Sequence, residues 1–201
     1  MGASIIGTTR RFIAELDADT LASAESSAHE LTLLDLGRSM KLQETLELLT
    51  VAKRLAVGDD FRRGEGPGLR LWLTKYEMPD AVWQHLQELD TRGMSLDELG
   101  ARFTPDGIET RRLLWLVAAL ASFEGLRQGA RNRAVTLSVR LGLAPGLARV
   151  LIEEAQIAVS AMLGGDEPLM RRLRMLRAAI FELGAVTGAA AGRRPTPGVG
   201  G

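Results

Sequence analysis

Apolar residues recur along this chain every three or four positions, and runs that alternate strictly between polar and apolar are scarce. That period is the mark of helices rather than strands. Over residues 41–57, Leu42, Leu46, Leu49, Ala52, Leu55 and Ala56 fall on one face of an amphipathic helix, and Gly58, Asp59 and Asp60 stop it. Pro67 suits the first turn of a helix carrying Leu69, Trp72, Leu73 and Tyr76; Pro79-Asp80 opens another with Val82, Trp83, Leu86 and Leu89. After the turn at Pro105-Asp106-Gly107, residues 108–123 form the most hydrophobic helix, expected at the centre of the fold. Helices follow over 130–141, left through Gly142, and from Pro145 to about Leu163. Gly164-Gly165-Asp166 breaks the chain again, and Pro168 begins a last helix with Leu169, Leu173, Leu176, Ile180 and Leu183 at four-three spacing.

The ends of the chain read less regularly. Phe12, Ile13 and Leu16 mark a short first helix, a polar stretch of small residues follows around 23–27, and Leu31, Leu34 and Leu36 mark a second short piece before Gly37. Between the two halves of the chain, Ser95 and Glu98 have the spacing of a capping box, which predicts a short helix there. The tail from Gly188 is rich in Gly and Pro and is expected to be disordered.

One pattern occurs twice. LLTVAKRLAVGDDFRRG and LLWLVAALASFEGLRQG, about 65 residues apart, agree at Leu48/Leu113, Leu49/Leu114, Leu55/Leu120, Ala56/Ala121, Arg62/Arg127 and Gly64/Gly129. Each apolar helix runs into an acid, Asp59 or Glu124, before an Arg-x-Gly turn. The expected fold is therefore an all-α, single-domain helical bundle of about seven to nine helices built from two similar halves. The halves span about 42–90 and 108–155 within a helical domain at 41–187, preceded by a helical extension at 1–40 and completed by a last helix at 168–185.

Composition narrows the chemistry. With 46% hydrophobic and 25% charged residues, the chain can build an ordinary core without disulfides or a structural metal. Its 25 basic and 25 acidic residues cancel, so no long-range field draws it to nucleic acid or anionic lipid. Cysteine is absent, which removes thiol nucleophiles and zinc ribbons and points to the cytoplasm. The N-terminal arginines follow a short apolar patch instead of preceding a long one, unlike a signal peptide, and no apolar run is long enough to cross a bilayer.

An apolar helix ending in an acid, a short turn, a second helix with a Leu-Gly-Leu-like exit, and a repeat of the whole resembles the tellurite-resistance TerB-like family over roughly residues 42–155. The resemblance implies a helical adaptor of a bacterial stress or resistance system, acting through a protein partner and binding a divalent cation, calcium or magnesium, on clustered acids. Its acidic positions carry over only at Asp59, Asp60, Glu65 and Glu124. The family's Asp-Gly turn is replaced by Asp59-Asp60 in one copy and by Glu124-Gly125 in the other. Clustered carboxylates with open positions suit a hard cation, although GDDFRRGEGPG lacks the alternating ligands of an EF-hand.

Two other readings remain open. The same acids, placed in a cleft between the halves, would serve an enzyme as acid or base if burial raised their pKa. Arg171, Arg172, Arg174 and Arg177 on the last helix would meet a membrane surface or nucleic acid, or form a solvated face on a packing helix. His29 and His85 have no partner at catalytic spacing, no phosphate-binding glycine loop is present, and Trp72, Trp83 and Trp115 sit at core positions.

Overall fold

The computed structural model describes residues 3–57, 67–91, 94–95, 102–123 and 128–183. Outside the described residues lie the helix stop at 58–60, Glu65, Glu124, most of the helix expected after Ser95, and the tail from Gly188. Among the described residues the fold is all-α, with nine helices: α1 (Ile5–Glu15), α2 (Ala18–Leu36), α3 (Leu42–Val57), α4 (Pro67–Lys75), α5 (Asp80–Glu88), α6 (Ile108–Phe123), α7 (Gln128–Arg140), α8 (Pro145–Leu163) and α9 (Glu167–Glu182). Two short parallel segments, β1 (Ala3–Ser4) and β2 (Met94–Ser95), pair with each other.

Helix α6 is the hub: every residue from Thr110 to Ser122 is buried. It packs most heavily on α8 and α3 and also meets α4, α7 and α9, while α1 and α2 cover α3, and α9 lies on α8. The doubled pattern corresponds to α3 and α6, which pack against each other; Leu48, Leu49, Leu113, Leu114 and Leu120 are all buried.

The N-terminal region differs from the sequence expectation. Residues 18–36 form one helix of 19 residues, so the stretch around 23–27, expected as a polar break before a short piece at Leu31–Leu36, is itself helical. Asp17 caps it by accepting from Thr20 N at 2.9 Å, and Gly37 ends it in the left-handed conformation at φ 67°. The side chains α2 buries include Ala24, Ser27, Ala28, Thr32 and Asp35, so small and polar residues stand where apolar periodicity would look for leucines. Each buried hydroxyl has a partner: Ser27 donates to Ser23 O and Glu77 O, and Thr32 donates to Ala28 O while accepting from Met40 N. Ser95, expected as a helix cap, is a strand residue paired with Ser4. Ser4 in turn caps α1 by accepting from Gly7 N at 2.9 Å.

Buried cations close several helix ends. The last carbonyls of a helix have no partner within it and carry partial negative charge, so a cation arriving from a neighbouring helix satisfies both needs. Lys53 of α3 donates to the carbonyls of Leu86 (2.6 Å), Leu89 (2.9 Å) and Gln87 (3.3 Å) at the end of α5. Arg112 of α6 reaches Leu36 O at 2.7 Å, closing α2; its neighbour Arg111 donates to Phe181 O and Leu183 O, closing α9. The central helix thus ties down the ends of two others.

Candidate functional site

The densest polar chemistry among the described residues lies inside the bundle, around Asp35 in the last turn of α2. Asp35 Oδ2 accepts from Trp72 Nε1 on α4 at 2.8 Å and from the hydroxyl of Tyr76, in the turn that follows α4, at 2.5 Å. Its Oδ1 accepts from Arg177 Nη1 at 3.2 Å and Arg174 Nε at 3.4 Å, both on α9. Arg177, 1% exposed, also donates from Nη1 to the Asp35 carbonyl at 2.8 Å and from Nε to both Glu154 oxygens at 3.1 and 3.2 Å. Glu154, on α8, accepts in addition from Trp115 Nε1 on α6. The Arg177 guanidinium lies 3.9 Å from the centroid of the Trp115 ring, and the Trp72 and Trp115 rings meet edge to face at 6.4 Å.

Two acids and two arginines make the network formally neutral, which is the condition under which charges tolerate burial. Burial alone would raise the Asp35 carboxyl, but Arg177, Tyr76 and Trp72 outweigh it and hold the group below the usual carboxylate range. At Glu154 burial wins over Arg177 and Trp115, and its pKa is raised. Burial, followed by the Asp35 charge, pushes the Tyr76 phenol up. Arg177 Nη2 lies 3.0 Å from Glu154 Oε1 without a well-angled hydrogen bond. The space beside this cluster is about 10 Å³, the threshold for one water. Asp35 is held by four donors, and together with Arg177 and Glu154 it ties five helices to one another.

The cluster was hidden from sequence reasoning for a definite reason. The buried face of α9 carries Met170, Leu173, Arg177, Ile180 and Phe181; of the expected stripe Leu173 and Ile180 are kept, whereas Leu176 and Leu183 are exposed and Arg177 is buried next to Leu176. Arg177 therefore faces the core, and Arg174 is half-buried. Only Arg171 and Arg172 of the four arginines keep exposed positions, so the four-arginine basic face, read either as a surface for membrane or nucleic acid or as a solvated face of a packing helix, is reduced to two residues. Met170, Leu173 and Ile180, bracketing Arg177 at three- and four-residue spacing, were the signal that could have found it.

The sequence-derived acids Asp59, Asp60, Glu65 and Glu124 lie outside the described residues. Among those described, no three His, Cys, Asp or Glu side chains come together as a metal ion would require. His85 stacks on Phe12 at 3.9 Å with the rings 8° apart, and burial followed by the Lys53 charge lowers its pKa. His29 Nδ1 lies 2.5 Å from Ser39 Oγ. Trp72, Trp83 and Trp115 are core residues, as expected, although the indoles of Trp72 and Trp115 also serve the buried acids.

On the outside, α7 and α8 enclose a cleft of about 140 Å³ lined by Arg131, Val135, Ser138, Val139, Ala148 and Ile152 among others. Val139 is 68% exposed on its bank; Val150 and Ile157, seven residues apart on α8, are exposed nearby in sequence. Arg131 pairs with Glu153 across the two helices, while Arg140 and Arg149 are exposed. No helix among the described residues is long and apolar enough to cross a membrane. No protein-family model matches the chain, and no curated protein or solved structure matches it at a significant level.

Proposed function

We propose that this chain is a helical adaptor that works by protein–protein contact, of the kind the resemblance to TerB-like proteins implies. The observation that supports this most is the α7–α8 face, where Val135 and Val139 stand exposed beside a cleft with arginines on both helices. Exposed β-branched side chains at a shallow cleft lose unfavourable water contact when a partner covers them. The surrounding Arg140 and Arg149 favour a partner carrying carboxylates around an apolar centre. A double substitution, Val135→Asp with Val139→Asp, should abolish capture of the partner from a host lysate while the melting temperature stays close to that of the parent chain. Undiminished capture by that variant, at unchanged stability, would remove this face from the reading.

The same reading includes a divalent cation, calcium or magnesium, held by Asp59, Asp60, Glu65 and Glu124, on the sequence argument alone. A bound cation raises the melting temperature in proportion to the logarithm of its concentration above Kd. Titration with calcium, magnesium and manganese, repeated on Asp59→Ala and Asp60→Ala, tests it; flat melting curves in the parent chain would remove the metal and leave the contact surface standing.

A further inference from the structure

A second pocket, of about 250 Å³, opens between α3 and the segment leading into α6. Met40, Leu48 and Phe103 give it an apolar lining, and five charged side chains share its wall: Glu44, Glu47 and Glu109 against Arg38 and Arg102. Their pairing is uneven. Glu109 is served twice, by Arg38 and by Arg112, each at 2.7 Å. Glu44 is met only at 3.4 Å, by Arg38 and by the Lys41 amide. Glu47 accepts from Gln43 Nε2 at 2.8 Å and from Arg102 Nη1 at 2.5 Å.

The Glu47–Arg102 pair is asymmetric in a way that matters. The Glu47 side chain is 0% exposed, whereas that of Arg102 is 45% exposed. Glu47 is anchored in the middle of α3, while Arg102 belongs to the short stretch preceding α6. A buried carboxylate is costly to keep and an aliphatic residue would pack as well, so its retention calls for a counter-charge. Arg102 supplies one from the solvent side, and its guanidinium returns to water at little cost when it leaves. The fixed member of the pair is the anion and the removable member is the cation.

We propose that this pocket binds a small organic cation, a primary ammonium carrying an apolar body, which takes the place of Arg102 on Glu47. The ammonium donates to the Glu47 carboxylate, with Glu44 as a second, weakly engaged acceptor at the rim. The apolar body lies against Met40, Leu48 and Phe103, whose sulfur and ring suit an aromatic or aliphatic group. The volume lies below the roughly 300–1,000 Å³ of drug-sized sites, so the ligand is small. With Glu109 neutralised by Arg38 and Arg112, the acceptors open to a ligand are Glu44 and, once Arg102 leaves, Glu47, and this site is independent of the α7–α8 face.

Three probes of similar shape separate the terms: 2-phenylethylammonium, neutral 2-phenylethanol and anionic 3-phenylpropanoate, each titrated calorimetrically and followed by melting temperature. The ammonium alone should bind the parent chain. Arg102→Gln, which removes the competing guanidinium from an exposed position, should tighten binding about tenfold, in line with release of one charge-assisted hydrogen bond. Glu47→Gln should abolish it, and because Glu47 is buried, its melting curve is recorded beside the titration; Arg102→Gln carries the test if that variant does not fold. Failure of the ammonium to bind both the parent chain and Arg102→Gln would overturn the proposal. So would equal binding of the three probes, preference for the carboxylate, or weaker ammonium binding in Arg102→Gln.

Discussion

Replacing Arg177 by methionine would leave Glu154 buried without a cation and Asp35 with only Arg174, because this one guanidinium serves both acids. The expected loss is about 3–5 kcal/mol, read from denaturant unfolding. Adding Asp35→Asn and Glu154→Gln keeps acceptors for Trp72, Tyr76 and Trp115 while removing both charges, so the triple variant should recover most of that loss. The two acids also respond to pH with opposite sign. The Asp35 carboxyl is lowered in the folded chain, so its contribution is present above the ordinary carboxylate value and is lost as pH falls through the folded one. Glu154 is raised, so its charge opposes folding at neutral pH, and the cost is relieved as pH falls through its raised value. The stability of Glu154→Gln relative to the parent chain should therefore fall as pH drops from neutral through that raised value. A constant difference across that range, by melting temperature, would contradict the raised value. None of these residues was legible as a site from the sequence. A charged residue in an amphipathic helix is normally solvated, and the apolar face of α9 had to be phased to within one residue before Arg177 turned inward.

Helices were far more legible than their contacts, because apolar spacing and proline or glycine punctuation are local signals. The 108–123 and 145–163 expectations coincide with α6 and α8, and Pro67 and Pro145 open their helices as read. The failure at α2 came from the opposite circumstance: its first half buries only small residues such as Ala24, Ser27 and Ala28, so the apolar marks Leu31 and Leu36 revealed its end but not its length. Capping from a distance cannot be read from sequence at all. Lys53→Met should cost about 1–3 kcal/mol by leaving the carbonyls at the end of α5 buried and unserved. The glycine exits offer a controlled comparison. Gly142 and Gly165 share φ 69°, but a Cβ at Gly142 would stand 2.9 Å from Pro105 Cβ, whereas at Gly165 it would meet nothing within 4 Å. Gly165→Ala should cost about 1 kcal/mol from backbone conformation alone, and Gly142→Ala distinctly more; equal costs in parallel melts would contradict the packing argument.

At the scale of the molecule, one buried network joins α2, α4, α6, α8 and α9, and the central helix holds the ends of α2 and α9. Elements tied in this way should not melt separately. Differential scanning calorimetry should give a single transition with calorimetric and van't Hoff enthalpies in agreement, and two resolved transitions would show that the halves unfold independently. The doubled sequence pattern foretold this only in part: its leucines place α3 against α6, but within the Asp35–Arg177–Glu154 network it supplies only Trp115. The two indoles of the network have a consequence of another kind. Trp72 and Trp115 stand edge to face at 6.4 Å, each N–H bound to a carboxylate and one ring covered by a guanidinium. Chromophores so close and so fixed couple their electronic transitions and sit in a strong local field. The protein therefore carries its own optical gauge, in which near-ultraviolet dichroism and tryptophan emission report on the integrity of the Asp35–Arg177–Glu154 cluster without any added label.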